Sequence, residues 1–333
     1  MSTIFLLFAI LSIALEFTGV QSIGVCYGAN GNNLPSRQEV IDLYKSNGIA
    51  GMRIYYPDEE ALQALRGSNI ELILDVPRDT LSSLTDANQA TNWVTKYVTP
   101  YSQDVKIKYI TVGNEIHPDY NEAQYVLTAL QNIQNAISAA NLQGQIKVST
   151  AIDMSLIGNS YPPKDGAFTD QAKSYLQPII TFLVNNGSPL LANVYPYFAY
   201  VGNEQDIHLD YALFNQQGNN DAGYQNLFDA QLDSVYAALA QVGGSNLQIV
   251  VSESGWPSAG GDGATTAENA ATYYNNLINH VKSGNGTPLK PGVAIETYLF
   301  AMFDENQKNG ASTEQHFGLF NPDKSPKYQI GFN

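Results

Sequence analysis

Cysteine is nearly absent from this sequence: Cys26 is the single one among 333 residues. No internal disulfide can form, so stability must come from the core. Cys26 itself reads as a small buried hydrophobe on the first strand. Basic residues are scarce too, with 16 Lys and Arg against 31 Asp and Glu and a net charge of −15. The acids are scattered and form no tail. That balance argues against nucleic acid or an anionic membrane as partner, since both need basic patches. Histidine is rare, and His117, His208, His280 and His316 show no metal-ligand spacing. A metal-dependent hydrolase is therefore disfavoured, and no cofactor is implied. Hydrophobic runs long enough to cross a membrane are missing. The apolar stretch Ile4–Leu15 is too short to span a bilayer comfortably. It reads instead as the centre of a secretory signal over residues 1–22, with Val20 and Ser22 as the small residues before a cut at Ile23. Two features are unusual for a signal: no Lys or Arg precedes the run, and Glu16 follows it.

What is present is a substantial apolar fraction, 44%, with 21 Tyr and 13 Phe. Short apolar, β-branched runs alternate with helical stretches. The strand-like runs are Ile23–Tyr27, Gly51–Tyr55, Glu71–Val76, Lys108–Gly113, Gln145–Ala151, Leu190–Tyr195, Leu247–Ser252 and Val293–Phe300. Val126, Leu130, Ile133 and Ile137 recur at three- and four-residue steps and define one face of a helix. Leu227, Leu232, Val235 and Leu239 do much the same before the seventh strand. Ser36 with Glu39 forms a capping-box pattern, and Gly48, Gly187 and Gly243-Gly244 mark helix exits. Eight strands alternating with helices predict a (β/α)8 barrel, one α/β domain over residues 23–333. A doubly wound open sheet is the alternative. Against it, Tyr27-Gly28-Ala29-Asn30-Gly31 lacks the glycine spacing of a phosphate-binding turn. The longest irregular stretches, Asn159–Thr169, Phe198–Gly223 and Gly255–Thr265, follow strands five, six and seven, where a barrel places its catalytic loops. Asn186-Gly187-Ser188 and Asn285-Gly286-Thr287 match glycosylation acceptors, each followed by a Pro expected to lower occupancy.

Two of the strand-like runs stop at a glutamate. Glu115 follows Tyr109-Ile110-Thr111-Val112-Gly113-Asn114, and Glu253 follows Ile249-Val250-Val251-Ser252. On the strand count they end strands four and seven and project at the same barrel face. Paired carboxylates on rigid strand ends suit glycosidic bond cleavage, in which one lends a proton and the other stabilises or attacks the sugar carbon. The structural alternative, a salt bridge to a nearby base, is credible for one such residue and much less so for two.

These residues carry a family resemblance. Val112-Gly113-Asn114-Glu115 and Val250-Val251-Ser252-Glu253-Ser254-Gly255-Trp256-Pro257-Ser258 resemble the signatures of plant endo-1,3-β-glucanases, glycoside hydrolase family 17. So do Ile23-Gly24-Val25-Cys26-Tyr27-Gly28, Met52-Arg53-Ile54-Tyr55, Asn193-Val194-Tyr195-Pro196-Tyr197-Phe198 and Phe300-Ala301-Met302-Phe303-Asp304-Glu305-Asn306-Gln307-Lys308. The match runs from Ile23 to the C-terminus. The resemblance implies a retaining mechanism with Glu115 as proton donor, then base, and Glu253 as nucleophile, their carboxyl groups roughly 5–5.5 Å apart. It implies substrate contacts from Glu305, Lys308 and Glu314, around the nucleophile. Asn114 is a candidate partner for the sugar 2-hydroxyl. Arg53 is a candidate donor to Glu253, with a structural interior salt bridge as the equal alternative. Tyr55, Tyr195, Tyr197, Phe198 and Trp256 are candidate groove residues, although an aromatic at a strand end is as often core. Asp304 departs from the Asn common in the family, and an extra carboxylate there is expected to disturb charge around that loop.

The expected function is a secreted, extracellular endo-hydrolase of β-1,3-glucan, such as callose or fungal wall glucan, with a defence role by kinship. The expected partner is the polysaccharide alone, bound by a monomer. One alternative is a hydrolase of mixed 1,3;1,4-β-glucan, which uses the same acid pair. Another is a catalytically silent glucan-binding protein, which the intact pair of glutamates opposes.

Overall fold

The computed structural model describes residues 23–332. The expected secretory signal lies outside the described residues. Eight parallel strands close into a barrel: β1 Gly24–Tyr27, β2 Gly51–Ile54, β3 Glu71–Val76, β4 Lys106–Asn114, β5 Lys147–Asp153, β6 Leu190–Asn193, β7 Ile249–Ser254 and β8 Thr297–Leu299. Closure is between β1 and β8, where Gly24 lies opposite Tyr298 on one side and Gly51 of β2 on the other. A side chain at Gly24 would meet the Tyr298 ring at 2.3 Å. The bare backbone there lets one buried tyrosine fill the floor of the barrel.

The main helices among the described residues, one after each of the first seven strands, are α1 Arg37–Ser46, α2 Glu59–Leu65, α3 Ala87–Tyr97, α4 Ala123–Ala139, α5 Asp170–Asn186, α6 Leu227–Gln241 and α7 Ala267–Lys282. Their starts follow the local chemistry. Ser36 and Glu39 form the reciprocal capping box of α1, and Thr169, Asn226 and Thr266 cap α5, α6 and α7 with their side-chain oxygens. Gly187 closes α5 in the left-handed conformation. Val126, Leu130, Ile133 and Ile137 are all buried on the inner face of α4. Each such side chain contributes about 1.5–3 kcal/mol by leaving water.

Two features depart from a regular eightfold repeat. α6 is buried almost all round, because the β5–α5 loop lies across its outer face and Gly166 sits directly on the Ser234 backbone. Asp233, wholly buried in α6, is satisfied by the Tyr224 and Thr287 hydroxyls and the Leu289 amide. Among the described residues, no long helix follows β8. The chain from Phe300 onward instead packs over the barrel mouth, where the Ala301 amide donates to the Phe317 carbonyl and the Leu319 amide to the Ala301 carbonyl, and then follows α7 to its end, where Lys282 holds the Phe332 carbonyl at 2.6 Å. Among the described residues no helix is long and apolar enough to cross a membrane.

Candidate active site

The C-terminal ends of β2, β3, β4, β6 and β7 bring one polar cluster to the barrel mouth. At its centre is Arg53 on β2, wholly buried. Its guanidinium donates to Asp75 of β3 at 2.7 and 3.3 Å, to Glu253 Oε1 of β7 at 2.9 Å and to Asn114 Oδ1 of β4 at 2.9 Å. Arg53 therefore meets both of its expected descriptions: it is a structural interior ion pair and a donor to Glu253. Asn193 of β6 is the second hub. Its amide donates to Asn114 Oδ1 at 3.0 Å and to Glu115 Oε1 at 2.8 Å, while its oxygen accepts from Ser252 Oγ at 2.8 Å. Asn114 Oδ1 thus takes two donors, which fixes its amide and leaves Nδ2 without a protein acceptor among the described residues.

The two glutamates sit in different surroundings. Glu253 lies within β7, one residue before its end, and its carboxylate accepts from Arg53, from the Tyr55 hydroxyl at 2.8 Å and from the Tyr195 hydroxyl at 2.7 Å. Burial and the Glu253 charge push both tyrosines well above their ordinary range, so they remain donors. Glu115 stands just past β4 with φ of +52°, a left-handed conformation that is uncommon for this residue type. Its backbone amide is anchored to the Ala151 carbonyl at 2.9 Å. Asn193 provides the one hydrogen bond to its carboxyl group among the described residues. Burial first, then the nearby Glu253 charge, push the Glu115 carboxyl up to about 7. Two like carboxyls share one mouth, and the one with a single neutral donor keeps its proton.

Two cavities meet at this point. One, of about 440 Å³, is bounded by both glutamates, Asn114, Tyr55, Tyr195 and the β8 loop. The other, of about 1170 Å³, includes Glu115 but not Glu253 and extends over the β5 and β6 loops. Glu115, Asn193, Tyr195 and Phe198 lie at or beside the junction. The β8-loop residues expected at the site are there. Glu305 is buried with its Oε1 accepting from the Asn30 amide at 2.8 Å, and burial raises its carboxyl above the usual range. A side chain at Gly28 would strike both Glu305 oxygens at 2.3 Å and push that carboxyl from its place. Lys308 lies over the Phe300 ring, 4.2 Å from its centre, and pairs with Glu314 at 3.1 Å.

Three expectations need correction. Trp256 is completely buried and does not line the cleft. Gly255 presses against the Phe300 carbonyl, and the indole turns inward onto Tyr197 and Tyr273, donating Nε1–H to Ala264 at 2.9 Å. Tyr197 is also buried, behind Phe198 and Phe317, and buttresses the groove instead of lining it. Asp304 faces away from the cleft, with its carboxylate held by Lys327 at 2.7 and 2.8 Å and by the Gly318 amide. Phe198 does line both cavities and is 45% exposed. Asp75, Asn193, Phe300 and Phe317 were not predicted at the site. The signal for Asp75 was a lone charge inside the apolar run Glu71–Val76. For Asn193 it was an amide closing the run Leu190–Ala192.

A closed parallel barrel with two glutamates on its C-terminal face is an arrangement suited to glycoside hydrolysis. Sequence comparison gives the family: the pattern of glycosyl hydrolases family 17 matches residues 23–332, and the chain belongs to that family. Among curated relatives, a glucan endo-1,3-beta-glucosidase of Vitis vinifera is 62% identical over 95% of this chain and 93% of its own. An acidic isoform of the same enzyme from Nicotiana tabacum is 59% identical over 98% and 96%. Among solved structures, a beta-1,3-glucanase and allergen of Cryptomeria japonica pollen superposes with a TM-score of 0.90 at 48% identity, over 94% of this chain and 99% of the other.

Proposed function

We propose that the chain is an endo-acting β-1,3-glucan hydrolase that works by two displacements with retention. The observation that carries this reading is the unequal company of the two glutamates. Glu253, with three donors on its carboxylate, is suited to attack the anomeric carbon. Glu115, raised to about 7, is suited to give its proton to the departing glycosidic oxygen. The glycosyl–Glu253 ester is then cleaved by water, whose proton returns to Glu115. Asn114, with its oxygen occupied and Nδ2 free, donates to the sugar 2-hydroxyl. Cavities on both sides of Glu115 suit cleavage inside a chain rather than at its end.

The 1,3 linkage follows the curated relatives. Residues 23–333 form the catalytic domain, released from a signal over residues 1–22 and active outside the cell as a monomer. Callose or fungal wall glucan is the substrate, with a role in defence. The test is hydrolysis of laminarin beside barley mixed-linkage glucan, with the anomeric form of the first product recorded. Laminarin cleavage with a β-product is expected. Activity on the mixed-linkage polymer alone would overturn the linkage, and an inverted product would overturn the mechanism. N-terminal sequencing of the secreted protein checks for a start at Ile23.

A further inference from the structure

The cavity of about 1170 Å³ contains a polar cluster that the steps above do not use. His117, two residues past Glu115, points Nε2 at Asp153 Oδ2 of β5 at 2.5 Å. Asp153 is itself fixed by the Ser155 amide and hydroxyl, at 2.7 and 2.5 Å. On its other face the imidazole stacks on Tyr120, with ring centres 4.9 Å apart and planes within 4°. Arg78 lies over the far side of Tyr120 at 4.4 Å and pairs with Glu122. Loops after β3, β4 and β5 thus clamp one imidazole ring. His117, Asp153 and Ser155 all line the cavity, and the His117 side chain is 25% exposed.

A ring held this firmly at a cavity wall has one hydrogen-bonding position left. Nδ1 has no protein partner among the described residues. It accepts when the ring is neutral and donates when it is protonated, so it suits a hydroxyl in either state. Its location decides which sugar it meets. Glu115 protonates the oxygen linking the attacked sugar to the leaving one. The attacked sugar must lie over Glu253, in the smaller cavity that both acids share. The leaving sugar therefore enters the larger cavity, where Glu115 is present and Glu253 is not.

We propose that His117, oriented by Asp153 and Tyr120, is a specificity-determining residue that binds a hydroxyl of the leaving portion of the glucan. This rests on the two-displacement reading above. The test compares kcat/KM on laminaripentaose with kcat/KM on 4-nitrophenyl β-laminaribioside, which places no sugar in the larger cavity. In His117→Ala the pentaose-to-aryl ratio falls about tenfold, the effect of one unmade hydrogen bond. In His117→Asn, which keeps a polar atom at the Nδ1 position, part of the ratio returns. The basic limb of the pentaose pH profile stays where it is in the unaltered enzyme. A ratio within about twofold of the unaltered enzyme overturns the proposal. So does a shifted basic limb, which would trace the effect to Glu115. Asp153 is the poorer position to vary, because its charge also acts on Glu115. The anomeric form of the released sugar, read in the same assay, tests the acid pair separately from the ratio.

Discussion

Glu115 and Glu253 are the same residue type at the same end of one barrel, yet they are built for opposite states. Glu253 stays within an extended strand and is met by a guanidinium and two phenols, all of which stabilise negative charge. Glu115 leaves its strand through a left-handed backbone conformation, is met by one neutral amide, and faces the other acid. Residue type alone does not separate an acid from a nucleophile. The difference lies in how many donors each barrel strand delivers, and to which oxygen. Arg53 makes the division sharper, because it donates to Asp75, Asn114, Asn193, the Ser252 carbonyl and Glu253 and not to Glu115.

The strongest way to break this comparison is to remove the donor-rich acid. Glu253→Ala removes the proposed nucleophile, and kcat on laminarin should fall by about 10⁴-fold or more. Glucan binding, measured by calorimetry, should persist. Residual turnover near that of the unaltered enzyme would remove Glu253 from the mechanism.

Replacing the other acid should cost less and depend on the substrate. Glu115→Gln cannot protonate a leaving sugar, so kcat on laminarin should drop by about 10²–10⁴. An aryl laminaribioside with a nitrophenol leaving group needs little protonation and should lose far less in its first step. In the unaltered enzyme, kcat/KM should decline on the basic side near pH 7, where Glu115 gives up its proton. Stability should follow the same group. The folded state binds the Glu115 proton more tightly than the unfolded chain, whose carboxyl titrates near 4.5. Folded protein therefore carries the extra proton between those values, and stability falls as pH rises through that window. Glu115→Gln escapes this cost. It should be more stable than the unaltered protein at pH 8, by on the order of 2–3 kcal/mol, with no such gain at pH 4. Denaturant melts at the two pH values check this.

Removing one donor from Glu253 tests the other half of the comparison. Tyr195→Phe deletes a single hydrogen bond to a charged group, worth about 1.5–3 kcal/mol. Turnover on laminarin should fall about 10- to 100-fold, and the melting temperature should fall by a few degrees. An unaffected rate would mean that Arg53 and Tyr55 suffice to hold the carboxylate.

The barrel was legible because unbroken apolar runs and a 3.6-residue period report burial directly, and all eight strands fall within or overlap the predicted runs. The boundaries moved where polar side chains sit at a strand end. β7 extends to Ser254 and includes Glu253, and β4 starts at Lys106 and reaches Asn114. The acid pair was legible from its strand-end position. Its network was not, because Arg53, Asp75, Asn114 and Asn193 lie on four strands and meet only when the barrel closes. The aromatics divided for a similar reason. Phe198 and Trp256 both follow a strand end, but the turn after β7 buries the indole while the short helix Pro196–Gly202 presents the phenyl ring. Composition does not encode the direction of a turn.

Asp304 and Glu305 repeat the contrast in adjacent residues and give the smallest expected effect on activity. Glu305 lies at the cleft against Gly28, whereas Asp304 points backward and ties Lys327 and the Gly318 amide together beneath the loop. An acid in this orientation stabilises without taking part in chemistry. Asp304→Asn keeps the shape and one acceptor for Gly318 but leaves Lys327 without its counter-charge. Because the pair is partly exposed, the cost should be about 1–3 kcal/mol, less than for a fully buried pair. The melting temperature should fall by a few degrees, while kcat and KM on laminarin should change by less than about twofold. Glu305→Gln should do the reverse, raising KM with little change in melting. If Asp304→Asn instead moved the pH profile, the backward carboxylate would be acting on the cleft through the loop, and the distinction between the two neighbours would fail.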